Sequence, residues 1–272
     1  MFREGKNVTK QLSTQLENLA ADLYHAWERA VPLDTFLTEA FPEATIADAY
    51  AMQMVNVKRR VSKGSRVVGK KIGLTSKAMQ ELLNVNEPDY GHLFDDMEFF
   101  PGEEIPISRL IQPKVEMEIA FVLKKDLSGP GISHVDVLRA TEAVLASIEV
   151  IDNRYRDWKH LTVRDTISDN AGAGLYVLGT ELTPVSNIDL GTLGAVLEKN
   201  GEVVATAAGA AVLGHPAVSV AWLANKLGQH GVSLKAGEII LSGSLTTALP
   251  AAAGDVFVAK FAGLGSVLTR FV

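Results

Sequence analysis

The chain has 272 residues and a formal net charge of −6, with 47% apolar and 21% charged residues, a balance that supports a packed globule and argues against disorder. No run of Lys and Arg is long enough to make a footprint for nucleic acid or an anionic membrane. Cysteine is absent, which excludes disulfides and thiolate metal sites and leaves oxygen and imidazole donors, the ligands of Mg²⁺, Mn²⁺ and similar ions.

The opening MFREGKNVTK lacks the apolar core of a signal peptide, and no apolar run approaches the ~20 residues of a membrane span. The expectation is a cytoplasmic protein. Leu12, Leu16, Leu19, Leu23 and Trp27 recur every three or four residues and predict an amphipathic helix. A proline-containing link, Val31 to Phe41, follows. Thr45 and Asp48 have capping-box spacing ahead of Ile46, Tyr50, Met54, Val57 and Val61, so a second helix is expected to stop at Gly64. Residues 1–65 thus read as a helical hairpin.

From residue 66 onward, short β-like runs are parted by Gly, Pro and Asn. Asn86 to Gly91 reads as a turn, and Val115 to Leu123 as a strand with one apolar face. A helix is expected from Val135 to about Leu145, followed by a strand over Ser147 to Asp152. Asn200-Gly201 is a type I′ hairpin signal between LGAVLEK and EVVATAA. His215 looks like the entry to a helix from Pro216 to Leu227, with Pro in its first turn and Gly228 at its end. DVFVAKF and SVLTRFV form a second hairpin around Ala262 to Gly265. Strands do not alternate regularly with helices, so the fold class is α+β: a helical part, 1–65, and a β-rich body, 66–272.

The chemistry concentrates in acidic residues on strands. Glu116 and Glu118 project to the same face, roughly 6.5–7 Å apart at Cα. Two such carboxylates either share a hard cation or line a solvated face. Glu149 sits in an apolar run, where a carboxylate is costly unless it is paired or bound to metal; Arg154 and Arg156 are candidate partners. Gly69-Lys70-Lys71-Ile-Gly-Leu-Thr75 brackets two lysines with glycines but has neither Walker nor GxGxxG spacing. The histidines show no metal-ligand spacing.

KKIGLTS, EPDYG, PKVEMEIAFVL, IEVIDNRYRDW, DTISDNA and AGEIILSGS occur in this order. Together they resemble the 2-keto-4-pentenoate hydratase (2-hydroxypenta-2,4-dienoate hydratase) branch of the fumarylacetoacetate hydrolase superfamily, over nearly the whole chain. The resemblance implies a mixed β-roll with flanking helices, assembled as a pentamer or decamer. It implies Mg²⁺ or Mn²⁺ held by Glu116, Glu118 and Glu149, with Lys71 and Asp89 as catalytic residues. Leu74, Asp169 and Ser242 would contact a small 2-oxo acid substrate. The reaction implied is hydration of 2-hydroxypenta-2,4-dienoate to 4-hydroxy-2-oxopentanoate in the meta-cleavage degradation of aromatic compounds.

The similar 4-oxalocrotonate decarboxylases tend to carry an apolar residue at Asp89 and to replace Arg156-Asp-Trp158; this chain has the hydratase-like residues. Hydratases of seven-carbon dioates share EPDYG, so a longer substrate stays open. The chain departs from the hydratase pattern at Ala171-Gly-Ala-Gly174, where a serine is usual. A C–C bond hydrolase would need a histidine-glutamate pair upstream of the ExE strand, and His92 is the only histidine between Val31 and Glu116. A non-catalytic subunit would have no use for three glutamates.

Overall fold

The computed structural model describes residues 2–272, the side chains of residues 2–13 and of Leu82 excepted. Helix α1 (Phe2–Arg29) buries Leu16, Leu19 and Leu23; Leu12 lies outside the described side chains. The expected link contains one short helix, α2 (Leu37–Ala40). Helix α3 (Ile46–Ser62) begins at the predicted capping box: the Asp48 amide donates to Thr45 Oγ1 at 3.2 Å, and the Thr45 amide donates to the Asp48 carboxylate at 2.8 Å. The helix ends at Lys63, and Gly64 turns the chain away with φ of +107°, a conformation glycine adopts without a Cβ penalty.

The body follows as β1 (Val67–Gly73), α4 (Lys77–Leu82), β2 (Asp89–Phe94), β3 (Glu98–Phe99) and β4 (Glu104–Ile105). Long strands β5 (Lys114–Leu123) and β6 (Thr141–Ile151) flank α5 (His134–Ala140). Then come α6 (Val163–Ser168), β7 (Ala173–Leu178), β8 (Gly194–Lys199), β9 (Glu202–Ala208), α7 (Pro216–Gly228), β10 (Ile239–Leu241) and β11 (Leu249–Pro250). A last hairpin, β12 (Val256–Phe261) and β13 (Gly265–Phe271), closes the chain. Asn200 and Gly201 both have positive φ, as a type I′ turn requires. His215 caps α7, its Nδ1 accepting from the Ala217 amide at 3.1 Å.

One expected boundary is wrong. The helix anticipated over Val135 to Leu145 ends at Ala140, and Thr141 already opens β6. Thr141 Oγ1 donates to the Val137 carbonyl at 2.7 Å, and Ala143 to Ser147 pair with β5. That apolar run suits either period, and the neighbouring strand decides between them.

Among the described residues the strands form an eight-stranded sheet, ordered β2-β1-β10-β5-β6-β7-β3 with β11 beside β5, and a five-stranded sheet, ordered β4-β13-β12-β8-β9. Parallel and antiparallel pairs are mixed, and the α+β class holds. One face of β5 and β6 (Val115, Met117, Ile119, Val144, Ile148) buries with Phe257, Phe261 and Phe271 of the smaller sheet and with α7. Each such side chain contributes roughly 1.5–3 kcal/mol when fully buried. The helical region closes over the body through a second cluster, in which Leu23, Phe36, Leu37 and Met52 enclose Tyr155 and Ile167. No helix among the described residues is long and apolar enough to cross a membrane.

Candidate metal and active site

The opposite face of β5 and β6 carries the acidic groups. The register sets Glu116 directly across from Glu149, and Glu118 across from Ser147. Cross-strand neighbours have Cβ atoms about 4.5–5.5 Å apart, and the diagonal pair is still within side-chain reach. Glu118 and Glu149 therefore converge with Glu116: one carboxylate oxygen from each lies within 4.8 Å of the others. Like charges in such positions destabilise the strand pair, and here Glu118 and Glu149 are fully buried as well.

Burial, then the Glu149 charge, pushes Glu116 up to about 7. Glu118 is raised well above the ordinary carboxylate range by burial and by its two acidic neighbours. Burial also raises Glu149, against the pull of Lys71. Glu118 Oε2 accepts from the Gly243 amide at 2.8 Å, whereas Glu118 Oε1 and both oxygens of Glu149 are buried without a hydrogen bond. Three converging carboxylates, two of them with buried unsatisfied oxygens, form an all-oxygen donor set, the kind that fits a hard divalent cation.

Strand β1 brings Lys71 to this cluster, and its neighbour Lys70 turns away to pair with Glu238 at 2.7 Å. Lys71 Nζ stands 3.4 Å from Glu149 Oε1 and donates to the Ala171 carbonyl at 3.0 Å. Burial alone would lower the Lys71 ammonium; Glu149, Asp89, Glu116 and Glu118 reverse that, and the net shift is upward. The Ala171-Gly172 loop, where the sequence departs from the hydratase pattern, thus meets the site through a backbone carbonyl. Ala171 holds a positive φ of 51° to present it.

The turn expected over Asn86 to Gly91 gives way to strand at Asp89. Asp89 opens β2 opposite Gly73 and is 1% exposed. A Cβ at Gly73 would lie 2.2 Å from Asp89 Oδ1, so glycine is what admits the carboxylate. Burial raises Asp89 to about 6, moderated by Lys71 and by the Gly73 and Asp89 amides.

A cleft of about 380 Å³ opens above, lined in part by Lys71, Leu74, Asp89, Lys114, Glu116 and Trp158. Leu74 contributes to its wall with φ of +56°, a strained conformation for a branched residue of the sort found at functional sites. Two residues assigned to substrate by resemblance do not reach it. Asp169 faces Arg154, whose Nε donates to it at 2.6 Å, and it lines a separate cavity beneath α1. Ser242 is fully buried and its Oγ has no partner. Neither arginine pairs with Glu149: Arg154 holds Asp169, and Arg156 holds Glu39. Sequence reasoning missed Lys114 and noted Trp158 only as a hydratase-like position, without placing it in the cleft. The alternation that picked out Glu116 and Glu118 also puts Lys114 on their face.

A family profile described as fumarylacetoacetate (FAA) hydrolase C-terminal matches residues 66–272. The chain is 46% identical over 258 residues to a 2-hydroxyhexa-2,4-dienoate hydratase of Comamonas testosteroni, covering 94% of this chain and 97% of that one. It is 47% identical over 259 residues to a 2-keto-4-pentenoate hydratase of Paraburkholderia xenovorans (strain LB400), covering 94% and 95%. The 4-oxalocrotonate decarboxylase from Pseudomonas putida G7, solved with magnesium and adipate, superposes with a TM-score of 0.92 at 42% identity, covering 96% and 98%. With the paired glutamate strands in the matched segment, the chain belongs to the fumarylacetoacetate hydrolase family.

Proposed function

We propose that the protein is a metal-dependent hydro-lyase that adds water to 2-hydroxypenta-2,4-dienoate, giving 4-hydroxy-2-oxopentanoate in the meta-cleavage degradation of aromatic compounds. The observation that carries the reading is the cluster of Glu116, Glu118 and Glu149 beneath a cleft lined by Lys71 and Asp89. The similar 2-keto-4-pentenoate hydratase supports this reaction, and the similar 2-hydroxyhexa-2,4-dienoate hydratase supports hydration of a short dienoate. Glu116, Glu118 and Glu149 would hold Mg²⁺ or Mn²⁺. Bound there, the ion supplies Lewis-acid stabilisation for enolate charge on a 2-oxo acid.

The chain's own groups move the protons. Asp89, held near 6 by burial, is partly protonated around neutral pH, so it can both give and take a proton. Protonation of the dienol at C5 yields an α,β-unsaturated ketone, which accepts water at C4 and a proton at C3. Asp89 activates that water or carries the proton, and Lys71 holds negative charge on the substrate beside Glu149. Leu74 lines the substrate's path. The helical segment 1–65 serves as a subdomain closing over the catalytic body, 66–272. The assembly is a cytoplasmic homo-oligomer, a pentamer or decamer. Exposed Val203 and Val204 on the edge strand β9 support burial against another copy.

Decarboxylation of 4-oxalocrotonate is the second reading, favoured by the close superposition on a decarboxylase. The carboxylate at Asp89 favours hydration. Incubation with 2-hydroxypenta-2,4-dienoate and Mg²⁺ should bleach the conjugated chromophore and yield 4-hydroxy-2-oxopentanoate. Release of CO₂ from 4-oxalocrotonate with the dienoate left intact would overturn hydration.

A further inference from the structure

Charge in the cleft is unevenly matched. Four carboxylates (Glu116, Glu118, Glu149 and Asp89) surround the Lys71 ammonium. With every carboxylate ionised, Lys71 and a divalent cation still leave the cluster net negative. A 2-oxo acid arrives as an anion and develops more negative charge as it reacts. Another cation is needed, and the cleft holds one.

Lys114 precedes Glu116 by two residues on the same face of β5, opposite Ile151 of β6. It is half-buried in the cleft wall. Its ammonium stands 4.3 Å from the centroid of the Trp158 ring, a cation–π contact that fixes a flexible side chain while leaving its donors free. Trp158 is itself held, its Nε1 donating to the Gln112 carbonyl at 2.9 Å. Among the described residues Lys114 Nζ has no ion pair and no hydrogen bond, unlike Lys70 and Lys71. Much of the remaining wall is uncharged, including Leu74, Met79, Leu83, Leu161 and Thr246.

We infer that Lys114, steered by Trp158, is the counter-charge for the C1 carboxylate of the substrate, and that its use there leaves no cation for a second carboxylate. The substrate is then a 2-oxo monocarboxylate with an uncharged tail, not a dioate. The inference rests on the proposed 2-oxo acid chemistry and deepens it. An anion lying over Glu116 comes within reach of the Lys114 stem, since the two Cα atoms are roughly 6.5–7 Å apart along the strand.

The test is calorimetric titration of the Mn²⁺-loaded protein with two unreactive probes, 2-oxopentanoate and 2-oxoadipate. Wild type should prefer 2-oxopentanoate. Lys114→Met should weaken both probes alike, by about 10- to 100-fold, the loss typical of a charged hydrogen bond. Lys114→Arg should restore affinity to within about threefold, because a guanidinium also stacks on the indole and binds carboxylate. Unchanged Mn²⁺ affinity and circular dichroism in both variants would show that the fold and the glutamate cluster are intact. Loss confined to 2-oxoadipate would place Lys114 at the tail and overturn the inference, as would an unaffected Lys114→Met or a wild-type preference for 2-oxoadipate. Failure of wild type to bind either probe would sink the underlying 2-oxo acid reading as well.

Discussion

The helical region and the β5–β6 strand pair are both well buried, but they handle buried polar groups in opposite ways. Beneath the helices, Gln53 is 1% exposed and uses both ends of its amide: Nε2 donates to the carbonyls of Tyr90 and Ile167, and Oε1 meets His92 Nδ1 at 3.0 Å. Asp165, fully buried, accepts from the Thr38 and Thr162 amides and hydroxyls. Across β5 and β6, by contrast, carboxylates face one another and Glu149 has neither oxygen hydrogen-bonded. A native fold tolerates so costly an arrangement chiefly where function requires it. The helices are arranged for stability, and the strand pair gives up stability for chemistry.

The largest expected effect breaks the strand pair's side of this contrast. Glu116→Gln should lower metal-dependent turnover by at least about a thousandfold, since it removes a charged ligand from the cluster. In metal-free protein near pH 8 the same change should raise stability by on the order of 1–2 kcal/mol, because a carboxylate held up at about 7 opposes folding above its ordinary range. Urea unfolding in EDTA and in Mn²⁺ measures both arms. A variant less stable in EDTA would mean that the pair is not under strain.

The complementary change tests the helices. Leu23 is 2% exposed within the cluster that encloses Tyr155. Leu23→Ala should cost about 2–5 kcal/mol in denaturant unfolding through lost transfer energy and the cavity left behind. Turnover per folded molecule should stay within about twofold, because no described side chain of α1 lines the cleft. A matching loss of turnover would show that the helices position the site and do not merely stabilise it.

The parts of the molecule that sequence pattern revealed share a cause: their signal is local. The capping box at Thr45 and Asp48, the Asn200-Gly201 turn and the alternation of β5 are each written within a few residues. Glu116 and Glu118 could be placed on one face by that alternation. Their meeting with Glu149 depends on the β5–β6 register, which spans more than 30 intervening positions and has no local signature. Lys71 and Asp89 were reached only through resemblance, because the β1–β2 pairing that sets Gly73 against Asp89 cannot be read from either strand alone. Asp169 was likewise reached through resemblance, and the structure pairs its carboxylate with Arg154, on the loop after β6, a contact that neither segment announces alone. Thr141 to Leu145 satisfied the helical period as well as the strand period, and pairing with β5 settled it.

His92 sits where the two regions meet, and it offers the smallest and sharpest test of their division. It lies on β2, is 7% exposed, and faces Gln53 of α3. Burial, reinforced by the Lys70 charge, depresses its imidazole to about 3. The unfolded chain, with an ordinary histidine pKa near 6.5, therefore binds the proton more readily than the native protein does. The stability contributed by neutral His92 is fully present above pH ~6.5 and is lost progressively as pH falls towards 3. At pH 5 the loss should be about 2 kcal/mol, near 1.4 per pH unit below the unfolded value. The raised carboxylates of the cluster titrate in the opposite sense, becoming less destabilising as they protonate, so wild type alone cannot isolate the imidazole. His92→Asn keeps a donor for Gln53 and cannot take up the proton. The stability difference between wild type and this variant should shift by about 2 kcal/mol in the variant's favour from pH 7.5 to 5. Mn²⁺ should leave that shift unchanged, because the imidazole belongs to the seam between helices and sheet; a shift that vanished in Mn²⁺ would couple His92 to the glutamates and erase the division.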